Sequence, residues 1–91
     1  MNITKEMFKK FSEKTLEIME KFNFEPYCIT FWGYGGIDLQ GNFNSEIRKK
    51  INNNKFYLAR KHEDEKTIFF IYQKGIVEIV LSQDKYEQKE K

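Results

Sequence analysis

From Ile3 to Phe22 the apolar residues recur at a spacing that suits a helix. Ile3, Met7, Phe8, Phe11, Thr15, Ile18, Met19 and Phe22 fall on one stripe at about 100° per residue, and Leu16 alone lies off it. Thr4 is placed to cap the first turn, with Ile3 and Phe8 at the staple positions. Asn23 and then Pro26 end the helix, which is predicted within residues 1–23. A single helix cannot bury such a stripe against itself, so the rest of the chain must provide an apolar layer beneath it.

The remaining segments read mostly as strands. "YCITFW", Tyr27 to Trp32, is β-branched and aromatic with no polar face, and "IDLQ", Ile37 to Gln40, alternates apolar and polar. "NFNSEIRKKI" opens a short helix near 45–52, capped by Asn44 and carrying Ile47 and Ile51 four apart, and "NNN" stops it. "KFYLARK", "TIFFIYQ" and "GIVEIVLS" follow as three strands, with "HEDE" joining the first two and Lys74-Gly75 turning between the last two. "TIFFIYQ" is apolar on both faces, which predicts a central strand. In "GIVEIVLS", Val77, Ile79 and Leu81 share one face and Glu78 takes the other. The predicted order is α-β-β-α-β-β-β. This is an α+β domain with a mainly antiparallel sheet of about five strands, spanning 27–82, with the first helix on one face. Residues 1–91 form one domain, and 83–91 is a charged tail expected to fray.

Ninety-one residues bury only a modest core, and nine Phe, five Tyr and one Trp predict that large rings fill it. The net charge of +2 is uneven: residues 1–46 hold five lysines and seven acids, whereas 47–91 hold eleven basic residues and seven acids. This asymmetry is too mild to mark a nucleic-acid binder by itself. The lone Cys28 excludes an internal disulfide, is expected in the core, and fits a reducing, cytoplasmic compartment. No run approaches the roughly twenty apolar residues of a membrane span, so no membrane partner is expected. The opening "MNITKEMFKKFSEK" lacks the apolar stretch of a secretory signal.

Two segments carry candidate function. "FWGYGGIDLQGNFNSE", Phe31 to Glu46, holds four glycines. A phosphate-cradling loop needs its glycines before a helix N-terminus, but here "IDLQ" follows and the lysine of a P-loop is missing. A hairpin turn that uses glycine's positive φ is the better reading, with Tyr34 at its tip and Trp32 beside it. Exposed rings at a rigid turn make partner anchors, so Trp32, Tyr34 and Asp38 are the candidate partner-binding residues. The plainer alternative packs both rings. "RKKINNNKFYLARK" has six basic residues and no acid. Its Arg48, Lys49, Lys50, Lys55, Tyr57, Arg60 and Lys61 are candidate nucleic-acid or nucleoprotein contacts through phosphate pairing and base stacking. The alternative is a solvated helix face followed by an edge strand guarded by lysines.

Chemistry of other kinds finds little support. His62 with Glu63, Asp64 and Glu65 reads as a hairpin loop, since neighbouring positions do not converge on one ion, and no metal or cofactor is expected. Ser12, Ser45 and Ser82 lack a nucleophile motif, and Asp38 with Glu46 is the one conceivable carboxylate pair. The expectation is a non-catalytic binding module that occupies a surface of a larger protein or ribonucleoprotein. Size and composition fit an inhibitor encoded by a phage or mobile element, for example an antagonist of a bacterial defence nuclease, anti-CRISPR-like in role. The alternatives are an RNA- or single-strand-binding domain using 48–61 and a homodimer joined through a sheet edge.

Overall fold

The computed structural model describes residues 2–86. Helix α1 runs Lys5–Phe22, and the Thr4 hydroxyl accepts the Met7 amide at 3.1 Å, as the capping pattern predicts. Asn23 closes the helix in the left-handed region at φ 51°, and the Phe24 amide reaches back to the Met19 carbonyl at 2.9 Å. The strands are β1 (Cys28–Phe31), β2 (Ile37–Asn42), β3 (Tyr57–Glu63), β4 (Thr67–Lys74) and β5 (Val77–Asp84), and helix α2 (Ser45–Asn53) lies between β2 and β3. The Asn44 side chain caps α2 by accepting the amides of Glu46 and Ile47.

The five strands form one sheet in the order β1-β2-β5-β4-β3. Three neighbouring pairs are antiparallel and one, β2 with β5, is parallel. A parallel pair cannot be closed by a tight turn. Helix α2 carries the chain across to the far edge, where β3 and β4 return it so that β5 can slot beside β2. This is the α+β class and element order read from the sequence.

Both helices pack on one face of the sheet. Phe11, Ile18 and Phe22 of α1 and Ile51 of α2 meet Ile37, Leu39, Val77, Ile79 and Leu81 in a single core. The rings do much of the filling: Phe22 meets Phe56 edge-on at 5.9 Å, and Phe43 lies against Phe70 at 5.3 Å. Lys74 ties the end of α2 to β4, donating to the Asn54 carbonyl at 2.8 Å.

Several expectations need correction. Phe8 is 57% exposed rather than docked, and its ring meets the Phe31 ring edge-on at 5.7 Å. It sits on the shoulder of the stripe, where α1 reaches the margin of the sheet. Cys28 is exposed, not core, because β1 is an edge strand whose Cys28 shares the uncovered face with Gln40. "TIFFIYQ" forms β4, which is interior but not central, since β5 holds the middle. His62 and Glu63 belong to β3, so the loop is only Asp64–Lys66. Its Asp64 side chain accepts the amides of Lys66 and Thr67, and those bonds hold its carboxyl below the usual range. In the expected frayed tail, Gln83 and Asp84 belong to β5, and 87–91 lie outside the described residues.

Two positions make sharp tests of this packing. A Cβ at Gly41 would run into the buried Phe24 ring, so glycine is there for close approach and not for its backbone freedom. Gly41→Ala is expected to lower unfolding stability by about 1–3 kcal/mol. Thr15 is buried against the sheet with its hydroxyl unpaired. Thr15→Val keeps the shape without the polar atom and is expected to raise stability by about 1 kcal/mol. Denaturant melts of the two variants check both signs.

Candidate functional site on the open sheet face

Strand alternation gives the sheet a second face that neither helix covers. It carries Thr30 from β1, Asp38 and Gln40 from β2, Glu78, Val80 and Ser82 from β5, and Phe69, Ile71 and Gln73 from β4. On β3 the alternation is broken. Leu58 lies opposite Tyr72 and Arg60 opposite Ile71, so Ala59 is an extra residue, a bulge. The bulge shifts the strand by one position, which brings Arg60 and His62 onto the open face with Tyr57 and turns Lys61 to the helix side. There Lys61 lies over the Phe70 ring at 5.8 Å, while His62 tilts against Phe69 at 6.0 Å on the open side.

The face has a polar end and an apolar end. At the polar end, polar side chains line up across the sheet from the β1–β2 turn to β3. The Trp32 indole donates to Asp38 Oδ2 at 2.8 Å, Asp38 neighbours Glu78 on the adjoining strand, and the Tyr57 hydroxyl donates to Gln73 Oε1 at 3.1 Å. Arg60 stands 3.7 Å from Glu78. Desolvation, followed by the charge of Asp38, raises the Glu78 carboxyl above its ordinary value, against the opposing pull of Arg60 and Gln73. Toward the apolar end, Phe69, Ile71 and Val80 are half-buried and line a shallow depression of about 630 Å³ with Gln40, Arg60, Lys61 and His62, and Glu78 joins it from the polar end.

Trp32 and Tyr34 stand at the corner of this face. The turn is fixed by two bonds, Trp32 N–H to the Gly36 carbonyl and Gly35 N–H to the Trp32 carbonyl, both 2.9 Å. Gly35 sits at φ 113°, which only glycine adopts without strain. The Tyr34 ring folds back over Gly36, where a Cβ would meet it, and stacks on Trp32 with centroids 6.0 Å apart and planes within 18°. Tyr34 stays 74% exposed and Trp32 42%. The glycine cluster is therefore a turn that holds two rings in the open.

No family model, curated protein or solved structure compared with this chain matches it.

The structure brings Trp32, Tyr34 and Asp38 together as one cluster. It does not bring the basic segment together. Arg48 lies over the Phe43 ring at 5.2 Å on the helix layer, and Lys49 pairs with Glu46 at 3.9 Å. Lys50 is on α2, Lys55 occupies a left-handed turn at φ 67°, and Tyr57 and Arg60 face the opposite side from Lys61. Glu46 stays in the first turn of α2, so the carboxylate beside Asp38 is Glu78 rather than Glu46. The sequence reading missed Glu78, Gln73, Phe69 and Ile71 as site residues. Glu78 had the signal, since it interrupts an otherwise apolar strand. Among the described residues, no three His, Cys, Asp or Glu side chains gather closely enough to share a metal ion, and no helix is long and apolar enough to cross a membrane.

The carboxyl pair should be visible in the pH dependence of stability. A carboxyl whose pKa is raised on folding binds more protons in the folded state just above its ordinary value of 4.5, so stability falls as pH climbs through that window. Asp64, held low, acts in the opposite sense below 3.8. Glu78→Gln keeps the side chain's shape and removes the titrating group. Melting curves from pH 4 to 7 are expected to show the decline in the wild type and its absence in Glu78→Gln.

Proposed function

We propose that this chain is a small non-catalytic binding module that occupies a surface of a larger protein through its open sheet face. The observation that carries the reading is the corner at Trp32 and Tyr34. Two large rings are held rigidly in the open by a glycine turn and an indole–carboxylate bond, and they adjoin an uncovered face with an apolar floor. Exposed rings gain little for folding, whereas an aromatic anchor at the centre of an interface can contribute about 2 kcal/mol or more. The bonds from Trp32 to Asp38 and from Tyr57 to Gln73 hold these side chains in place before a partner arrives, which lowers the ordering cost of association. An inhibitor of a larger enzyme, such as an antagonist of a bacterial defence nuclease, is a role that such a module fills.

A second reading, contact with single-stranded nucleic acid, is favoured by the His62 and Phe69 rings beside Arg60 on an open sheet. The carboxyl pair at the polar end opposes it, because phosphates are repelled there once Glu78 ionises. A protein surface with donor groups facing Asp38 and Glu78 suits the face better.

Tagged wild-type and Tyr34→Ala proteins, incubated with extract of the native host with and without nuclease, separate the readings. The expected outcome is a partner that survives nuclease treatment on the wild type and is lost from Tyr34→Ala, whose stability stays within about 0.5 kcal/mol of the wild type. Gly35→Val is expected to lower stability by about 1–3 kcal/mol through strain alone, since nothing crowds that position. Capture that nuclease abolishes would favour the nucleic-acid reading. Equal capture by wild type and Tyr34→Ala would move the interface away from this corner.

A further inference from the structure

The two edges of the sheet are built differently. The outer strand β3 carries Arg60, Lys61, His62 and Glu63 and the bulge at Ala59, devices that discourage an edge from pairing. The other edge has none of them from Cys28 to Phe31. From Tyr27 to Trp32 there is no charge and no proline, and β1 keeps an unbroken register with β2. Its backbone is also free to bond. The Trp32 N–H donates to the Gly36 carbonyl, which makes these two residues a hydrogen-bonded pair. Antiparallel alternation then points the N–H and C=O groups of Cys28 and Thr30 toward β2 and those of Ile29 and Phe31 outward. Side chains widen the strip: Ile29 is 45% exposed, and the exposed Phe8 of α1 meets Phe31 of the same strand edge-on.

We propose that β1 pairs antiparallel with β1 of a second copy of this chain, joining two sheets into one of ten strands. A second copy is the occupant that the strand itself specifies. With Thr30 on a two-fold axis perpendicular to the sheet, the outward groups of Ile29 meet those of Phe31 in the partner and the reverse, so each free donor faces a free acceptor. An uncharged strand opposes no like charges when paired with itself. Phe8 and Ile29 of each copy cover the helix side of the seam. The same axis leaves both open faces on one side of the joined sheet. This inference rests on the edge, not on the face, so it stands or falls independently of the partner surface proposed at Trp32 and Tyr34.

Light scattering across a concentration series reaching about 1 mM, with amide exchange on the same samples, tests it. The mass is expected to rise from 11.1 kDa to twice that value. Exchange at the Ile29 and Phe31 amides is expected to slow by about tenfold or more with concentration while β3 amides do not change. Ile29→Lys places a charge on the edge without touching the β2 ladder, and it is expected to stay at 11.1 kDa with an unchanged melting temperature. A wild type that remains at 11.1 kDa throughout overturns the proposal. So does a dimer whose protection falls on Tyr57–Glu63 or on the open face, or a folded Ile29→Lys that still doubles its mass.

Discussion

The parallel pairing of Ile37–Asn42 with Val77–Ser82 is the contact on which the rest of the molecule depends. Ile37 stands opposite Val77, forty positions further along the chain, and no turn can bridge a parallel pair. Everything between must therefore leave β2, cross the sheet and come back, which is the work of α2, β3 and β4. The pairing also completes the core. Leu39, Ile79 and Leu81 are fully buried, and they form the floor on which Phe11, Ile18 and Phe22 rest. The N-terminal helix, the element with the strongest local signal, thus has no complete docking surface until the last strand is in place. Folding of this kind is governed by non-local contacts and is slower than in a helical bundle of equal length.

Covering one face with both helices leaves the other with nothing but its own side chains. A chain of this size has no third layer to spare. The exposed face is accordingly half polar. Its polar side chains pair locally, Trp32 with Asp38, Arg60 with Glu78 and Tyr57 with Gln73, and Phe69, Ile71 and Val80 supply its apolar part. Adjacent carboxyl groups at Asp38 and Glu78 are a costly way to decorate a sheet, since the charge of Asp38 adds to desolvation in raising the Glu78 carboxyl. Such an arrangement suits a surface whose groups are fixed for contact more than one tuned for stability.

What could be read from the sequence follows from how local each signal is. The stripe of α1, the caps at Thr4 and Asn44, the glycine turn, and the alternation of Val77, Ile79 and Leu81 are all set by residues within a few positions of one another. The candidate cluster at Trp32, Tyr34 and Asp38 was legible for the same reason: a hairpin brings it together. The positions that were misplaced depend on partners far along the chain. Cys28 was taken for core because its strand is apolar on both faces, and only the sheet order makes that strand an edge. Phe8 has the spacing of a buried residue but meets the margin of the sheet. Glu78 could not be joined to Asp38 without knowing that β5 returns beside β2.

The bulge at Ala59 links the edge of the sheet to the chemistry of its face, whereas the opposite edge is regular over Cys28–Phe31 and irregular just before it, where the Tyr27 amide also reaches the Gln40 carbonyl. Strict alternation from Tyr57 would put Ala59, Lys61 and Glu63 on the open side. The extra residue substitutes Arg60 and His62, so a guanidinium reaches Glu78 and an imidazole reaches Phe69. The same shift sends Lys61 over Phe70 and Glu63 toward Lys85 at 3.7 Å, where they serve the helix side. One inserted residue thus breaks the outer ladder, which guards that edge, and splits a run of charges that reads as continuous in the sequence. The basic segment is dispersed over two faces by this single irregularity, and the opposite edge keeps a regular ladder from Cys28 to Phe31.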